Sequence, residues 1–127
     1  MRQVYHFKDW RMKRVVILSF RPPYGSSINA EAFRAGLGLA FSETIVDLIL
    51  IGDGVYSALK GQNPQQLQMK PISDVYKNIG DFNINLFIDE NSIRERNLQI
   101  DELVSAPIIT NDDLKEKISK ADTVLTF

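Results

Sequence analysis

The chain of 127 residues contains no cysteine and a single histidine, His6. The absence of cysteine excludes disulfide bonds, thiolate metal sites and a cysteine nucleophile. One histidine forms neither a zinc site nor a catalytic triad by itself. The longest apolar run, residues 45–51, is much shorter than the roughly 20 residues that span a bilayer. Residues 1–14 lack the apolar segment of a signal peptide, so we expect a cytoplasmic protein that does not enter a membrane.

Net charge is also nearly absent, because 15 Lys and Arg face 16 Asp and Glu. No overall basic field therefore attracts the chain to nucleic acid or to an anionic membrane. The charge is unevenly distributed, since residues 1–14 hold five basic side chains and one acid, interleaved with Tyr5, Phe7 and Trp10. We expect a basic N-terminal extension over residues 1–12 and one domain over residues 13–127. Contact of the extension with RNA or an acidic partner is the alternative to a simple extension.

Short apolar runs alternate with amphipathic segments along the domain. Five strands are predicted, at residues 15–18, 45–51, 84–88, 103–109 and 123–127, the fourth interrupted by Pro107. Helical spacing predicts helices within residues 30–41, 55–59, 72–79, 92–96 and 114–121, and Thr110 with Asp113 forms a capping box before the last. This alternation predicts an α/β fold of three layers, with a mostly parallel central sheet of about five strands and helices on both faces.

Two glycines, Gly36 and Gly38, lie inside the first predicted helix. Each costs roughly 1 kcal/mol of helix stability relative to alanine. We expect both to allow a close approach of this helix to the sheet.

Ligands of parallel α/β sheets bind beyond the carboxyl ends of the strands. The loop that follows the first predicted strand combines a glycine turn with hydroxyl groups at a helix start, so its residues are a candidate anion-binding loop: Tyr24, Gly25, Ser26 and Ser27. The alternative is a turn capped by serine that binds no ligand. The pattern of a P-loop is absent from the sequence.

Carboxylates follow the second and third predicted strands. Asp53 lies between two glycines, where it could hold a metal or act as a base, although an aspartate there more often accepts N–H bonds of its own turn. Asp89 and Glu90 are adjacent, and adjacent residues at a strand end point in different directions. Arg94 and Arg96 are a candidate docking surface, with a solvated helix face as the alternative. These residues form no recognisable catalytic or metal-binding constellation, and no cofactor is expected.

Apolar residues near the predicted strand ends suggest an oligomer. Exposed edges of small parallel sheets favour pairing or coverage by a neighbour. The short helix after Gly54 carries a candidate oligomer interface, formed by Val55, Tyr56 and Leu59. Packing of these three side chains against the sheet is an equally good interpretation.

Three sequence blocks resemble those of one known family. They are IGDGVY at 51–56 with Leu59 and GQNP at 61–64, SIRERNL at 92–98, and ADTVLTF at 121–127. On these blocks, residues 13–127 resemble the DsrE/DsrF-like family, most closely its TusC/DsrF-type subunits. The resemblance implies a small α/β fold with flavodoxin-like topology and assembly into homo- or hetero-oligomers of related subunits.

The resemblance also implies a setting in sulfur metabolism. In sulfur-relay complexes of this family, three related subunits form a hexamer with two copies of each. Sulfur travels as a persulfide on a cysteine of the DsrE/TusD-type subunit, towards 2-thiouridine in tRNA or towards oxidation of stored sulfur. The TusC/DsrF-type subunit is mainly an assembly partner, with only an indirect link to tRNA and to sulfur-carrier proteins.

Asp89 aligns, through the SIRERNL block, with the position where some relatives have a cysteine. A carboxylate cannot carry a sulfane sulfur, because persulfide chemistry needs a thiolate. Three hypotheses remain open. The chain is a non-catalytic subunit of a sulfur-relay complex, a stand-alone homo-oligomeric module that binds a small anion, or an enzyme that uses Asp53, Asp89 or Glu90.

Overall fold

The computed structural model describes residues 13–22, 34–36, 38, 44–60 and 84–127. Within them, five strands are formed: β1 (Arg14–Ser19), β2 (Ile45–Leu50), β3 (Ile84–Asp89), β4 (Ile108–Ile109) and β5 (Thr123–Thr126). The helices are α1 (Glu90–Glu95) and α2 (Asn111–Lys120), with two 3-10 helices, η1 (Gly52–Ala58) and η2 (Ile100–Glu102). Residues 34–36 and 38 are also helical. The predicted extension, the loop at 24–27, the helix at 72–79 and most of the helix within 30–41 lie outside these described residues.

The five strands form one sheet in the order β4-β3-β2-β1-β5. Every neighbouring pair is parallel, which confirms the predicted parallel sheet. From β1, the strands β2, β3 and β4 are added one after another towards one edge of the sheet. The chain then crosses back, and β5 is added on the other side of β1. This order differs from the 2-1-3-4-5 order of flavodoxin. The point at which the strand order reverses lies between β1 and β5.

Apolar side chains cover both faces of the sheet, as expected for a three-layer fold. One cluster, which includes Ile17, Leu48 and Ile88, packs against the helical residue Ala35, η1 and α1. The cluster on the other face includes Val16 and Ile49 and packs against α2. Successive residues of a strand point to opposite faces, so the continuous apolar runs of β1 and β2 serve both clusters.

The two glycines of the first predicted helix have different surroundings. A Cβ atom on Gly36 would lie 3.3 Å from Cδ1 of Ile84 and 3.6 Å from Cδ1 of Ile17, tight enough that the neighbours would have to move. The predicted close approach to the sheet is confirmed there. For Gly38 the prediction is wrong, because no atom lies within 4 Å of a Cβ built on it.

The region of the fourth strand differs most from the prediction. Only Ile108–Ile109 pairs with β3, while residues 100–102 form η2 and Leu103 makes an isolated antiparallel bridge to Leu59. Pro107 cannot donate to a ladder, although its carbonyl accepts the N–H of Ile88 at 3.0 Å. By contrast, the predicted capping box of α2 is present in full, with both hydrogen bonds between Thr110 and Asp113.

Candidate functional site at the carboxyl edge

The turns that follow β2 and β3 are joined by one buried hydroxyl group. The backbone N–H of Gly52 donates to Oγ of Ser92 at 2.8 Å. The same Oγ donates to Oδ2 of Asp89 at 2.6 Å. Ser92 is only 3% exposed, so its bond to Asp89 is protected from water, whereas the bond from Gly52 is partly buried. The segments that follow the second and third strands therefore meet at Ser92.

Asp89 is the N-cap of α1. Its Oδ2 accepts the backbone N–H of Ser92 at 3.0 Å in addition to the hydroxyl, and the residue is 4% exposed. An N-cap aspartate stabilises the start of a helix by about 1 kcal/mol. Glu90 faces solvent and pairs with Arg94 at 3.1 Å, so the prediction that Asp89 and Glu90 point in different directions is confirmed. The structure gives the Asp89 carboxylate a structural role.

Asp53 forms an ion pair with Arg96 across the same edge. The Nε and Nη2 atoms of Arg96 lie 3.1 and 3.0 Å from Oδ1 of Asp53. Arg96 Nη1 also donates to the carbonyl oxygen of Ser92 at 3.3 Å. The guanidinium thus joins the end of α1 to η1. An aspartate between two glycines more often bonds the backbone of its own turn. Asp53 instead pairs with the distant Arg96, because η1 and the end of α1 are adjacent in the fold.

The two glycines beside Asp53 are both required by the backbone. Gly52 has a φ of 58°, a left-handed conformation that side chains other than glycine rarely adopt. A Cβ atom on Gly54 would overlap the carbonyl oxygen of Ser19 at the end of β1. The same oxygen accepts the N–H of Ile51 at 3.0 Å. The two glycines therefore allow η1 to pack closely against the end of β1, which positions Asp53 at the carboxyl edge of the sheet.

The two candidate docking arginines do not form one surface. Arg96 is held in the ion pair with Asp53, whereas Arg94 is 64% exposed and bonds Glu90 and Asn91 within α1. Arg94 fits the solvated-face interpretation. It borders an open groove of about 520 Å³ between α1, η2 and β4, whose lining residues are Glu90, Ile93, Arg94, Leu98, Gln99, Ile100, Asp101 and Ile108.

The candidate oligomer interface needs one correction. Val55 is fully buried in the cluster that faces η1, so it offers no surface to a neighbour. The interpretation of packing against the sheet is correct for this residue. Tyr56 and Leu59 are half-buried, and Leu59 packs against the same cluster. Only Tyr56 and Leu59 remain candidates for contact with another subunit.

Three other features considered from the sequence are an anion-binding loop, a metal site and a membrane-spanning helix. The candidate anion-binding loop at 24–27 lies outside them. Within residues 13–22, 34–36, 38, 44–60 and 84–127, no three His, Asp or Glu side chains are grouped so as to hold a metal ion. In the same part of the chain, no helix has the length and apolar character needed to cross a membrane.

A second polar cluster lies on the α2 side of the sheet and was not predicted. Asp47, in the middle of β2, accepts the amide of Asn85 at 3.0 Å and lies 3.5 Å from Nζ of Lys117. Nζ of Lys117 is also 3.9 Å from the ring centre of Phe87. No local sequence pattern indicates that Asp47 and Lys117 lie close together. A signal for Ser92 does exist, because Asp89 and Ser92 have the spacing of an N-cap and the third helical residue.

Comparison with known proteins agrees with this architecture. A model of the DsrE/DsrF-like family matches residues 13–127. The intracellular sulfur oxidation protein DsrF of Allochromatium vinosum is 28% identical, over 91% of this chain and 97% of its own. A TusC homolog of Vibrio parahaemolyticus is 30% identical, over 91% of this chain and 100% of its own. The crystal structure of the ychN protein from E. coli matches with a TM-score of 0.79 and 26% identity, over 91% of this chain and 100% of that one. The chain belongs to the DsrE/DsrF-like family.

Proposed function

We propose that this protein is a non-catalytic subunit of an intracellular sulfur-relay complex. In such a complex, persulfide sulfur passes along cysteines of related subunits towards tRNA 2-thiouridine or towards sulfur oxidation. The similarity to DsrF and TusC proteins over 91% of the chain supports this assignment. The relay is a cytoplasmic process in this proposal, and a related subunit supplies the reactive cysteine that is missing from these 127 residues.

The observation that carries the proposal is the state of Asp89. In this proposal, Asp89 stands where some relatives have a cysteine, as the resemblance of residues 92–98 implies. In the structure it is a buried helix cap bonded twice to Ser92. Its carboxylate contributes to the stability of the edge and has no sulfur to transfer. An ordered edge without a thiolate fits a subunit that serves assembly and does not carry sulfur itself.

The same geometry argues against an enzyme that uses Asp89 or Asp53. A general acid or base must reach a substrate atom within hydrogen-bond distance. Asp89 is 4% exposed and caps α1, and Asp53 is held in an ion pair with Arg96. Binding of a small anion by the loop at 24–27 remains a separate proposal, which does not depend on these contacts.

Purification of the tagged chain from its native host, followed by native mass spectrometry, tests the proposal. We expect an intact complex that contains a DsrE/F-like chain with cysteine, and a mass increase of one or more sulfur atoms on that cysteine. Deletion of the gene is expected to lower 2-thiouridine in total tRNA or to block oxidation of stored sulfur. A reintroduced wild-type gene is the control.

Two outcomes would overturn the subunit assignment. One is a complex of this chain alone, in a host that expresses cysteine-bearing relatives. The other is a deletion strain with normal 2-thiouridine and normal sulfur oxidation. In the first case, inorganic phosphate and sulfate would be tested as ligands by their effect on the melting temperature, with a chain carrying Ser26→Ala and Ser27→Ala as the matched variant.

A further inference from the structure

The charges of this chain are separated along its sequence. Residues 1–14 hold five basic side chains and one acidic side chain, a net charge of +4. The other 113 residues hold 10 basic and 15 acidic side chains, a net charge of −5. A polyanion is therefore attracted to the part of the molecule near residues 1–14 and repelled by the rest.

The first 12 residues lie outside the part of the chain that matches the family. The family model begins at residue 13. The TusC homolog of Vibrio parahaemolyticus matches over 100% of its own length but over only 91% of this chain. Membership of the family therefore does not explain the basic and aromatic side chains of residues 1–12.

The sheet places the start of β1 beside the carboxyl end of α2. The carbonyl of Lys13 accepts the N–H of Ile45 at 2.8 Å, which fixes residue 13 at the amino edge of the sheet. The carbonyl of Arg14 accepts the N–H of Asp122, and the N–H of Arg14 donates to Oδ2 of Asp122, each at 2.8 Å. Lys120, the last residue of α2, is only two positions before Asp122. The basic N-terminal segment is therefore joined to the sheet next to a lysine of α2.

Two of the cations at this place are available to a ligand. Arg14 and Lys120 line the same cavity of about 240 Å³. The guanidinium of Arg14 forms no ion pair with another described residue. Lys120 pairs with Glu116 at 3.2 Å, but the two side chains are 68% and 63% exposed, and such an exposed pair contributes little stability. A phosphate group can therefore replace Glu116 at little cost, whereas Lys117 is held by the buried Asp47.

We propose that this end of the molecule binds single-stranded RNA. The surface, called the basic end, consists of six cationic residues: Arg2, Lys8, Arg11, Lys13, Arg14 and Lys120. Tyr5, Phe7 and Trp10 are interleaved with its cations. Proteins that bind single strands combine cations for the phosphates with aromatic rings on which bases stack. An acidic protein segment would need the cations alone, so the aromatic residues favour RNA. The proposal does not depend on a role in sulfur transfer.

The fluorescence of Trp10 provides a specific test, because it is the only tryptophan of the chain. The purified full chain is titrated with a uridine oligomer of about 12 nucleotides at several KCl concentrations between about 50 and 200 mM. We expect quenching of Trp10 and a dissociation constant on the order of 10 μM near 100 mM KCl. Each phosphate contact to a single strand contributes about −0.7 to the slope of log K against log salt, so the six cations predict a slope of about −4.

Three variants separate the contributions of the basic end. Deletion of residues 1–12 removes three of the six cations, so it should weaken binding by about tenfold or more and reduce the slope to about −2. Lys120→Glu should weaken binding more than Lys115→Glu, a matched control on α2 whose exposed side chain does not line the cavity. Tyr5→Leu with Phe7→Leu keeps every charge, so it should raise the dissociation constant about fivefold or more without changing the slope. Circular dichroism establishes that each variant is folded.

A polyglutamate peptide of about 12 residues distinguishes RNA from an acidic protein partner. We expect it to bind at least about tenfold more weakly than the uridine oligomer, because it offers no bases for stacking. Equal affinity for the two probes would assign the basic end to an acidic protein and overturn the proposal. So would the absence of RNA binding at about 50 mM KCl, unchanged affinity after deletion of residues 1–12, or equal effects of Lys120→Glu and Lys115→Glu.

Discussion

Replacing Ser92 with alanine removes the one hydroxyl group that joins the turns after β2 and β3. The variant loses the donor to Asp89 Oδ2 and the acceptor for the N–H of Gly52. The backbone bond from Ser92 N–H to Asp89 remains, so α1 keeps part of its cap. The change therefore isolates the contribution of the link between the two turns.

The expected cost follows from the kind of bond and its burial. A hydrogen bond to a carboxylate contributes about 1.5 to 3 kcal/mol, and a neutral bond about 1 kcal/mol. Gly52 is half-buried, so water replaces part of the second bond. Alanine returns up to about 0.5 kcal/mol through its higher helix propensity. We expect the free energy of unfolding to fall by about 2 to 3 kcal/mol, which lowers the melting temperature on the order of 10 °C.

Urea unfolding followed by circular dichroism measures this difference. Ser119→Ala is the matched control, because Ser119 is exposed on α2 and its Oγ donates only to the carbonyl of Glu116. Its expected change is within about 0.5 kcal/mol. A double-mutant cycle with Asp89→Ala should show strong non-additivity. Equal stability of the Ser92 and Ser119 variants, or additive effects in the cycle, would refute the reasoning.

Three further substitutions test the same edge and its neighbours. Gly54→Ala places a methyl group on the carbonyl oxygen of Ser19 and should cost about 3 kcal/mol or more, measured as loss of soluble, folded protein on circular dichroism. Thr110→Ala removes the N-cap of α2 and should lower the unfolding free energy by about 1 kcal/mol in urea titration, whereas Thr110→Ser should not. Asp89→Cys removes both the cap and the acceptor of the Ser92 hydroxyl, so it should cost about 2 to 4 kcal/mol, and its buried thiol should react with iodoacetamide more slowly than that of Asn91→Cys on the exposed face of α1. Equal labelling rates would show that position 89 is accessible.

Local patterns predict the elements well and the contacts between them poorly. The strands of 45–50 and 84–89 and the capping box at Thr110 each depend on a few adjacent residues, so the sequence contains their signal. The bond between Gly52 and Ser92 joins residues 40 positions apart, and the Asp53–Arg96 pair joins residues 43 apart. These partners become neighbours only when β2 and β3 are adjacent in the sheet. The spacing of apolar residues along the chain does not indicate which strands are neighbours in the sheet.

The same limit explains two outcomes at single residues. The sequence leaves Val55 open between an oligomer interface and packing against the sheet, and the structure buries its side chain in the core next to the close approach of Gly54 to the end of β1. Gly38 looks like a second contact with the sheet, but it lies two residues past Gly36, and the helix has by then rotated away from the strands. In both cases the packing of a whole element decides the outcome.

Bonds within the protein fix the backbone at the described carboxyl edge. The hydroxyl of Ser92, the carboxylate of Asp89 and the charges of Asp53 and Arg96 each bond another group of the protein. Polar groups bonded in this way fix the position of the backbone at this edge. A surface that is already ordered loses less conformational entropy when a partner binds, so association is stronger for the same contacts. A subunit whose role is assembly benefits from this kind of edge. Loosening this edge through Ser92→Ala is therefore expected to weaken the binding of any partner that contacts it.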